Sequence, residues 1–287
     1  MSAILSMLTW NVLARQYTKY NSEFHRASGK LEETTQQTRA RYTMAGEEIV
    51  RRGCDIVFLQ ECEARFLQPE WNWAASKLLS DYHLFRCSQT VEDPGTAVLV
   101  RKDGRAAPTV STPVCVGGTK ETGGVSKVAT LVPVLAASRR FTAVSAHFAF
   151  DQKAKQRLHH ADLIKDAVGN ESLVLAGDFN CEPGPNLEAL EASSGLFGSL
   201  KRIPLPEGSA TGLSSDFTEQ VCIDHFYVSA DLPPPVGAVA LAQPASPWGG
   251  KVTRPAKVSG SSDHVPVLAC LDLAGPACPD IFLWASL

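Results

Sequence analysis

Apolar runs along this chain repeatedly stop at a side chain that can bind a ligand. The clearest run covers residues 173–176 and leads into Gly177, Asp178 and Asn180. A short apolar run bounded by turn residues predicts a buried strand, with Asp178 and Asn180 just beyond its C-terminal end and facing the same way. Polar groups at strand ends can reach ligands without the cost of burial inside the strand. On its own, the segment fits a ligand site and a simple Asx turn equally well.

The same arrangement recurs in five other predicted strands. Residues 5–10, 55–59 and 141–146 form strand-like runs that lead into a polar residue, and the runs over 226–228 and 265–271 are each preceded by one. The polar residues at the six strand ends are Asn11, Glu61, His147, Asp178, Asp224 and His264. Six such ends in one chain predict a single site along one edge of the fold.

Helical spacing of apolar residues appears between these strands. Residues 42–50 predict a helix that ends at Gly53. Residues 70–79, which include Trp71 and Trp73, and residues 151–168 predict two more helices. The arginines near the first helix are expected on a solvated face; they are Arg39, Arg41, Arg51 and Arg52. Strands that alternate with helices predict an α/β fold.

The motifs at the strand ends resemble those of the endonuclease/exonuclease/phosphatase superfamily. They are Thr9-Trp10-Asn11, Leu59-Gln60-Glu61, Ala146-His147-Phe148, Gly177-Asp178-Phe179-Asn180, Ile223-Asp224-His225 and Ser262-Asp263-His264, in the family's order. The resemblance implies a DNase I-like four-layer α/β sandwich, in which two packed mixed β-sheets are flanked by helices. It also implies that residues 1–287 form a single catalytic domain that hydrolyses phosphate esters.

Cleavage of a phosphate ester requires neutralisation of charge on the phosphoryl oxygens, which a hard divalent cation can supply. Glu61 is the expected direct ligand of that cation. Asn11 and Asp263 are expected as further ligands, directly or through waters, because Mg²⁺ is usually held by one or two carboxylates and keeps much of its water shell. The oxygen-rich strand ends favour Mg²⁺ over zinc, with Mn²⁺ as a substitute.

The remaining strand-end residues are expected to act on the phosphate and on the attacking water. Asp178 is expected to be the base that orients the water, and Asn180 to donate to the phosphoryl oxygens. His264 is expected to be protonated against the phosphate, with Asp224 fixing its ring. The resemblance implies that His147 contacts the scissile phosphate, at a position held by tyrosine in apurinic endonucleases and by histidine in deadenylase-like members.

Charge and cysteine content narrow the class of protein. The formal net charge is −3, well short of the basic footprint of a protein that holds long duplex DNA. No apolar run is long enough for a membrane span, and no secretory signal is recognisable. None of the eight cysteines forms a Cys-x-x-Cys pair. We therefore expect reduced thiols in a monomeric, intracellular protein of the cytoplasm, with the nucleus and the mitochondrion as alternatives.

The expected substrate follows from a narrower resemblance. Residues 10–14, 177–183 and 223–229 look most like nocturnin and the deadenylases, which implies a 3′–5′ exoribonuclease acting on single-stranded RNA. The chain departs from those proteins at His225, where they usually carry tyrosine. A nocturnin-like dinucleotide phosphatase, a tyrosyl-DNA phosphodiesterase and, from another class, an inactive nucleic-acid-binding module are the alternatives. Phe217 and Trp248, the latter within a proline-rich stretch over 230–260, are the expected substrate-binding aromatics.

Overall fold

The computed structural model describes residues 4–20, 33–90, 93–117, 128–149, 154–213, 220–241 and 262–273. In these residues, two mixed β-sheets pack face to face and helices cover their outer faces. The predicted α/β sandwich with two packed mixed sheets is confirmed. None of the described helices is long and apolar enough to cross a membrane.

The first sheet contains β1 (Ile4–Asn11), β2 (Ile56–Cys62), β3 (Tyr82–Cys87), β4 (Gly95–Arg101), β14 (Pro235–Ala240) and β15 (Val267–Asp272). The strand order is β14-β15-β1-β2-β4-β3. Strands β1 and β2 are parallel, and the other neighbours are antiparallel. Every residue of β1 and β2 is buried, which explains why these strands appear in the sequence as nearly continuous apolar runs.

The second sheet contains β5 (Ala106–Pro108), β6 (Val114–Gly117), β7 (Val128–Ala136), β8 (Arg139–His147), β9 (Leu173–Asp178), β10 (Leu200–Ile203) and β13 (Asp224–Ser229). Its order is β10-β13-β9-β8-β7-β5, and β6 pairs with β7. Strands β8 and β9 are parallel. Two further short strands, β11 (Gly212–Leu213) and β12 (Gln220–Val221), pair with each other beside the sheets.

Alternation along the strands divides the apolar side chains between separate cores. Leu5 and Met7 of β1 join the core between the two sheets, where Phe58 and Phe226 meet edge to face across the sheets. Trp10 points to the other side, into the core beneath the helices. The period of two in a strand produces this division.

The described residues include four α-helices, namely α1 (Thr35–Arg52), α2 (Ala75–Asp81), α3 (Ala154–Val168) and α4 (Pro185–Ser193). Helix α1 begins at a capping box on Thr34 and ends at Gly53, as its Gly stop signal predicts. Two predictions about the helices were wrong. Trp71 and Trp73 lie in turns before α2, because the side chain of Asn72 bonds to Phe66 O and Ala74 N instead of allowing an earlier helical start. Arg41 is fully buried instead of solvated.

The topology brings all the polar strand ends to one edge, here called the catalytic edge. Strand β1 is parallel to β2, and β8 is parallel to β9. Within each pair, the C-terminal ends therefore lie together. Strand β13 runs antiparallel to β9 with Asp224 opposite Asp178, and β15 runs antiparallel to β1, so both begin where their neighbours end. The two kinds of strand end therefore converge on one side of the sandwich.

The expectation of eight reduced cysteines was wrong for one pair. Cys87 at the end of β3 and Cys115 in β6 form a disulfide, with 5.6 Å between their Cα atoms. The pair joins an edge strand of one sheet to a strand of the other. The sequence could not show this contact, since it depends on how the sheets pack. Cys54, Cys62, Cys181, Cys222 and Cys270 are free, and Cys278 lies outside the described residues.

We expect the disulfide to contribute about 3–4 kcal/mol to the free energy of unfolding, because it closes a loop across 28 residues of the unfolded chain. Urea denaturation of the oxidised protein and of a Cys87→Ala/Cys115→Ala variant measures the difference. Dithiothreitol should lower the stability of the wild-type protein and leave that of the variant unchanged. Equal stability of the two oxidised proteins would contradict the prediction.

Candidate active site

The side chain of Asn11 links two carboxylates at the catalytic edge. Its Nδ2 donates to Glu61 Oε1 at 3.1 Å and to Asp178 Oδ2 at 3.0 Å. Its Oδ1 accepts a hydrogen bond from Leu13 N at 3.0 Å, which fixes the orientation of the carboxamide. All three polar side chains are buried, so two acidic groups from different sheets share one amide donor.

Glu61 is presented to the site by an irregularity in β2. The register between β2 and β4 shifts between Leu59 and Cys62, and Glu61 has a left-handed backbone with φ of 54°. A non-glycine residue rarely adopts this conformation without support from its surroundings. Support comes from Ala14 N, which donates to Glu61 Oε2 at 2.9 Å. The bulge therefore aims a carboxylate at the catalytic edge.

Asp178 is held where β9 leaves the sheet. Its Oδ1 accepts a hydrogen bond from Asn180 N at 2.8 Å, in the Asx turn that the sequence suggested. Asn180 itself has a left-handed backbone, and its Nδ2 donates to Phe148 O at 3.0 Å. At Gly177, a Cβ atom would lie 1.9 Å from Ala146 O on the neighbouring strand. Only glycine therefore lets β8 and β9 approach closely enough to place Asp178 here.

His264 lies between two carboxylates. Its Nδ1 is 2.8 Å from Asp224 Oδ2, and its Nε2 is 3.6 Å from Asp178 Oδ2. Burial alone would lower the pKa of His264, but the charges of Asp224 and Asp178 outweigh it and hold that pKa well above its usual value. Among the described residues, Asp224 Oδ1 has no hydrogen-bond partner, so a protonated His264 is what compensates this buried charge.

His147 completes the group from the second sheet. Its Nε2 lies 3.4 Å from Asp178 Oδ2 and 3.9 Å from Glu61 Oε1. It occupies the last position of β8, directly opposite Asp178 in the parallel pair. The structure thus brings an imidazole to within reach of both carboxylates.

Of the three remaining predicted site residues, only Asp263 lies in the described part of the chain. Asp263 is half-buried next to His264, and Ser262 Oγ donates to its Oδ1 at 3.4 Å and to Asn11 O at 2.5 Å. Phe217 and Trp248 lie outside the described residues. Their assignment to substrate binding stays a prediction, as do the catalytic and metal-binding roles of the clustered residues.

The donor set at the catalytic edge fits a hard divalent cation. Glu61 and Asp178 supply carboxylate oxygens that face each other across one amide group, without a lysine or arginine in either hydrogen-bonded pair. Within the described part of the chain, no three His, Cys, Asp or Glu side chains are arranged as a direct cage for an ion. One carboxylate plus retained waters is the usual way in which proteins hold Mg²⁺, so Glu61 fits the role of a main ligand.

Arg41 supports the site from beneath, a role that the sequence prediction missed. Its guanidinium donates to Val12 O at 2.8 Å and to Leu13 O at 2.6 Å, and it pairs with Glu33. The backbone that it holds contains the two N–H groups that bond to Asn11 and Glu61. The sequence held one indication that Arg41 is buried: it lies four residues before Ala45, on the apolar face of α1.

The comparisons with known proteins identify the family. A model of the endonuclease/exonuclease/phosphatase family matches residues 8–264, from the end of β1 to His264. The chain belongs to that family. Its members are hydrolases that cleave phosphate esters, and the protein is a phosphoesterase of this kind. No curated protein sequence gave a match.

Solved structures share the family fold at low sequence identity. The structure of ANGEL2, a 2′,3′-cyclic phosphatase, in complex with adenosine-2′,3′-vanadate is 17% identical with a TM-score of 0.68, over 95% of this chain and 97% of that chain. TDP2 from D. rerio, complexed with a single strand DNA product, is 16% identical with a TM-score of 0.66, over 93% and 98%. The human nocturnin catalytic domain with a bound sulfate is 17% identical with a TM-score of 0.58, over 93% of each chain.

His225, where deadenylase-like family members usually carry tyrosine, belongs to the core and not to the carboxylate cluster. It follows Asp224 on β13, so its side chain points to the opposite face. The ring lies edge-on to Phe179 at 5.4 Å between centroids, and Nε2 is 2.8 Å from Cys181 O. Burial lowers the pKa of His225 from 6.5 to about 4. The imidazole therefore stays neutral and supports the turn that follows Asp178.

Acid should destabilise the protein through His225. Above pH 6.5 the residue is neutral in both states; as the pH falls from 6.5 towards 4, only the unfolded chain gains the proton, so stability is lost across that window. The full loss is about 3 kcal/mol. Between pH 7 and pH 4, the melting temperature of His225→Tyr should fall less than that of the wild-type protein. The melting temperature of His83→Gln, which removes an exposed imidazole, should fall as much as that of the wild-type protein. Parallel curves for His225→Tyr and wild type would contradict this account.

Proposed function

We propose that this phosphoesterase is a Mg²⁺-dependent phosphodiesterase that removes nucleotides from the 3′ end of single-stranded RNA. The observation that carries the proposal is the buried convergence of Glu61, Asp178, His147 and His264 around Asn11. In this proposal, the two carboxylates and two imidazoles supply a cation site, a base and hydrogen-bond donors to the phosphate, which together are the requirements of phosphate-ester hydrolysis.

Asp178 is the proposed base. Its carboxylate is fixed on one oxygen by Asn180 N, while the other oxygen faces Asn11, His147 and His264. A carboxylate oriented by backbone and amide donors can hold a water molecule in line with the phosphorus atom and accept its proton. The fixed geometry means that little reorganisation is needed when the water attacks.

His264 and His147 are the proposed donors to the phosphate. The Asp224 carboxylate fixes the His264 ring so that Nε2 points into the site, and the raised pKa keeps the imidazole charged at neutral pH. A charged donor at this place stabilises the extra negative charge that forms on the phosphoryl oxygens in the transition state. Asn180, whose amide can donate a second hydrogen bond, is the proposed additional donor.

Glu61 is proposed to hold Mg²⁺, with Asn11 and Asp263 as further ligands, directly or through waters. The ion would neutralise phosphoryl charge and lower the pKa of a bound water. The chain's own contribution is to hold Glu61 in its left-handed conformation through Ala14 N and to orient Asn11 through Leu13 N. These contacts keep the oxygen donors in place before the substrate arrives.

Three observations support RNA ends over long duplex DNA as the substrate. The net charge of −3 does not suit a protein that binds many duplex phosphates. Histidine at position 147 matches the deadenylase-like members of the family, whereas apurinic endonucleases carry tyrosine there. Two of the similar structures hold a single strand DNA product and an adenosine-2′,3′-vanadate.

A substrate panel tests the proposal. The panel contains a 5′-labelled single-stranded RNA with a free 3′ hydroxyl, a plasmid duplex and a phosphorylated dinucleotide, each with Mg²⁺ and with excess chelator. We expect stepwise shortening of the RNA from its 3′ end, poor cutting of the plasmid, no activity in chelator, and recovery with Mg²⁺ or Mn²⁺.

The panel also identifies the alternatives. Release of phosphate from the dinucleotide without RNA shortening would show a nocturnin-like phosphatase, and hydrolysis of a tyrosyl-DNA conjugate added to the panel would show a tyrosyl-DNA phosphodiesterase. Full RNA shortening in excess chelator would overturn the metal-dependent mechanism. Binding without hydrolysis of any substrate would indicate an inactive nucleic-acid-binding module.

A further inference from the structure

Two arginines, Arg39 and Arg65, pack on the ring of Trp71, and an exposed indole, Trp73, follows two residues later. We call these four side chains the Trp71 surface. The guanidinium carbon of Arg65 lies 4.9 Å from the centroid of the Trp71 ring, and that of Arg39 lies 5.7 Å from it. Both arginines are exposed. Trp73 is 77% exposed, the largest value among the big apolar side chains of the described residues.

The Trp71 surface lies next to the reaction site in the chain. Arg65 belongs to the short 3-10 helix Ala64–Leu67 and is four residues beyond Glu61, which limits the distance between their Cα atoms to about 15 Å. Arg39 is on α1, two residues before Arg41, whose side chain holds the backbone at residues 12 and 13. Arg65 and the Trp71 ring that it contacts are therefore close in the chain to Glu61, and Arg39 lies on the helix that supports the site.

The acidic groups described in this region form ion pairs and hydrogen bonds with other partners. Glu33 is buried and paired with Arg41, and Glu63 is buried and accepts a hydrogen bond from Tyr42. Among the described residues, no carboxylate forms an ion pair with Arg39 or Arg65. A guanidinium stacked on an indole keeps its in-plane N–H donors available, and these suit the bidentate binding of a phosphate.

Trp73 adds an exposed indole on an anchored turn. Its backbone N donates to Thr43 Oγ1 on α1 at 3.1 Å, so the turn that carries the indole is anchored to the helix. An exposed indole leaves a large apolar face in contact with water, and a stacked partner covers that face. Nucleic-acid bases stack on such rings regardless of sequence. The cation–π packing of the arginines uses the Trp71 ring and does not require a second, exposed indole.

We propose that the Trp71 surface binds the part of a single-stranded RNA that lies beyond the nucleotides in the reaction site. Phosphates pair with Arg39 and Arg65, and a base stacks on Trp73. This proposal rests on the proposed function in that it takes the substrate to be a single-stranded polynucleotide. It adds that substrate length is sensed outside the catalytic cluster.

Kinetics on substrates of two lengths test the proposal. The substrates are an adenylate dinucleotide, which fills only the reaction site, and an adenylate decanucleotide with a free 3′ hydroxyl. We expect Trp73→Ala to raise the KM for the decanucleotide roughly tenfold, within the range for loss of one stacked base, and to leave its kcat and the dinucleotide kinetics unchanged. Arg39→Gln/Arg65→Gln should act in the same direction.

A binding measurement keeps the test independent of catalysis. The fluorescence anisotropy of a labelled adenylate decanucleotide is measured in chelator at several salt concentrations. Each phosphate contact on a single strand adds about 0.7 to the slope of log Kd against log salt, so Arg39→Gln/Arg65→Gln should lower that slope by about 1.4. Arg139→Gln/Arg140→Gln, at the far end of β8 from His147, makes the same charge change and should leave the slope unchanged.

The outcomes are distinguishable from those of the substrate panel. If the arginine variants lower the salt slope as expected but the decanucleotide is not shortened by the wild-type protein, the proposed function is wrong and the proposal for the Trp71 surface stands. If RNA is shortened while Trp73→Ala and the arginine variants bind the decanucleotide like wild type, the surface proposal is wrong. An equal loss with both substrate lengths, or a lowered melting temperature that accounts for the loss, would also overturn it.

Discussion

Replacing Asp178 by asparagine should lower kcat for the preferred phosphate ester by about 10²- to 10⁴-fold, the usual range for loss of a positioned base. The substitution keeps the size of the side chain but removes its charge. It also creates a conflict in hydrogen bonding. Both carboxylate oxygens now accept a bond, one from Asn180 N and the other from Asn11 Nδ2. An amide has only one oxygen, so one of these donors must face an NH₂ group.

The KM should change far less than kcat, because Asp178 acts on the attacking water and not on the substrate in its ground state. Steady-state kinetics with saturating Mg²⁺ and a melting curve for each protein measure these quantities. Asp231→Asn is the matched control: its carboxylate bonds to Ser172 just before β9, at the opposite end of the strand from Asp178. Turnover within tenfold of wild type for Asp178→Asn, in a folded protein, would remove Asp178 from the mechanism.

The sequence predicted the convergence of the strand ends because that convergence depends only on where the apolar runs end and on the direction of the strands. Asn11, His147 and Asp178 each follow an apolar run, and parallel strands in a sandwich have their C-terminal ends at one edge whatever their exact register. The prediction of two packed mixed sheets came from the resemblance, since periodicity alone does not define the number of sheets.

The details that make the site work depend on contacts distant in sequence. The left-handed conformation of Glu61 arises from a register shift against β4, and the burial of Arg41 depends on the backbone carbonyls at residues 12 and 13. The disulfide between Cys87 and Cys115 requires edge strands of two sheets to meet. Local patterns carry no information on these contacts, which is why a buried arginine was predicted on a solvated face and the paired cysteines were predicted as free thiols.

Replacing Glu61 by glutamine should separate metal binding from folding. Mutation of a residue that only hydrogen-bonds to a metal ligand typically lowers metal affinity by about 10- to 100-fold. Loss of the main ligand should therefore weaken Mg²⁺ binding by about 100-fold or more, and lower turnover at least as much at low Mg²⁺. In metal-free buffer the variant should be no less stable than wild type. Glutamine has one oxygen, so it keeps a bond from only one of Ala14 N and Asn11 Nδ2, and the other donor faces its NH₂ group. The removal of the repulsion between two buried carboxylates offsets this loss.

Melting curves in chelator and in excess Mg²⁺ measure this separation without any activity assay. A cation that binds only the folded state raises its stability in proportion to the logarithm of its concentration over Kd, so Mg²⁺ should raise the melting temperature of wild type and hardly change that of Glu61→Gln. Glu188→Gln, an exposed change on α4, should respond to Mg²⁺ as wild type does. An equal rise for Glu61→Gln and wild type would place the cation elsewhere. A variant that melts far below wild type in chelator would show instead that the Glu61 carboxylate is needed to hold its own left-handed backbone, and that its conformation and its ligand role cannot be separated.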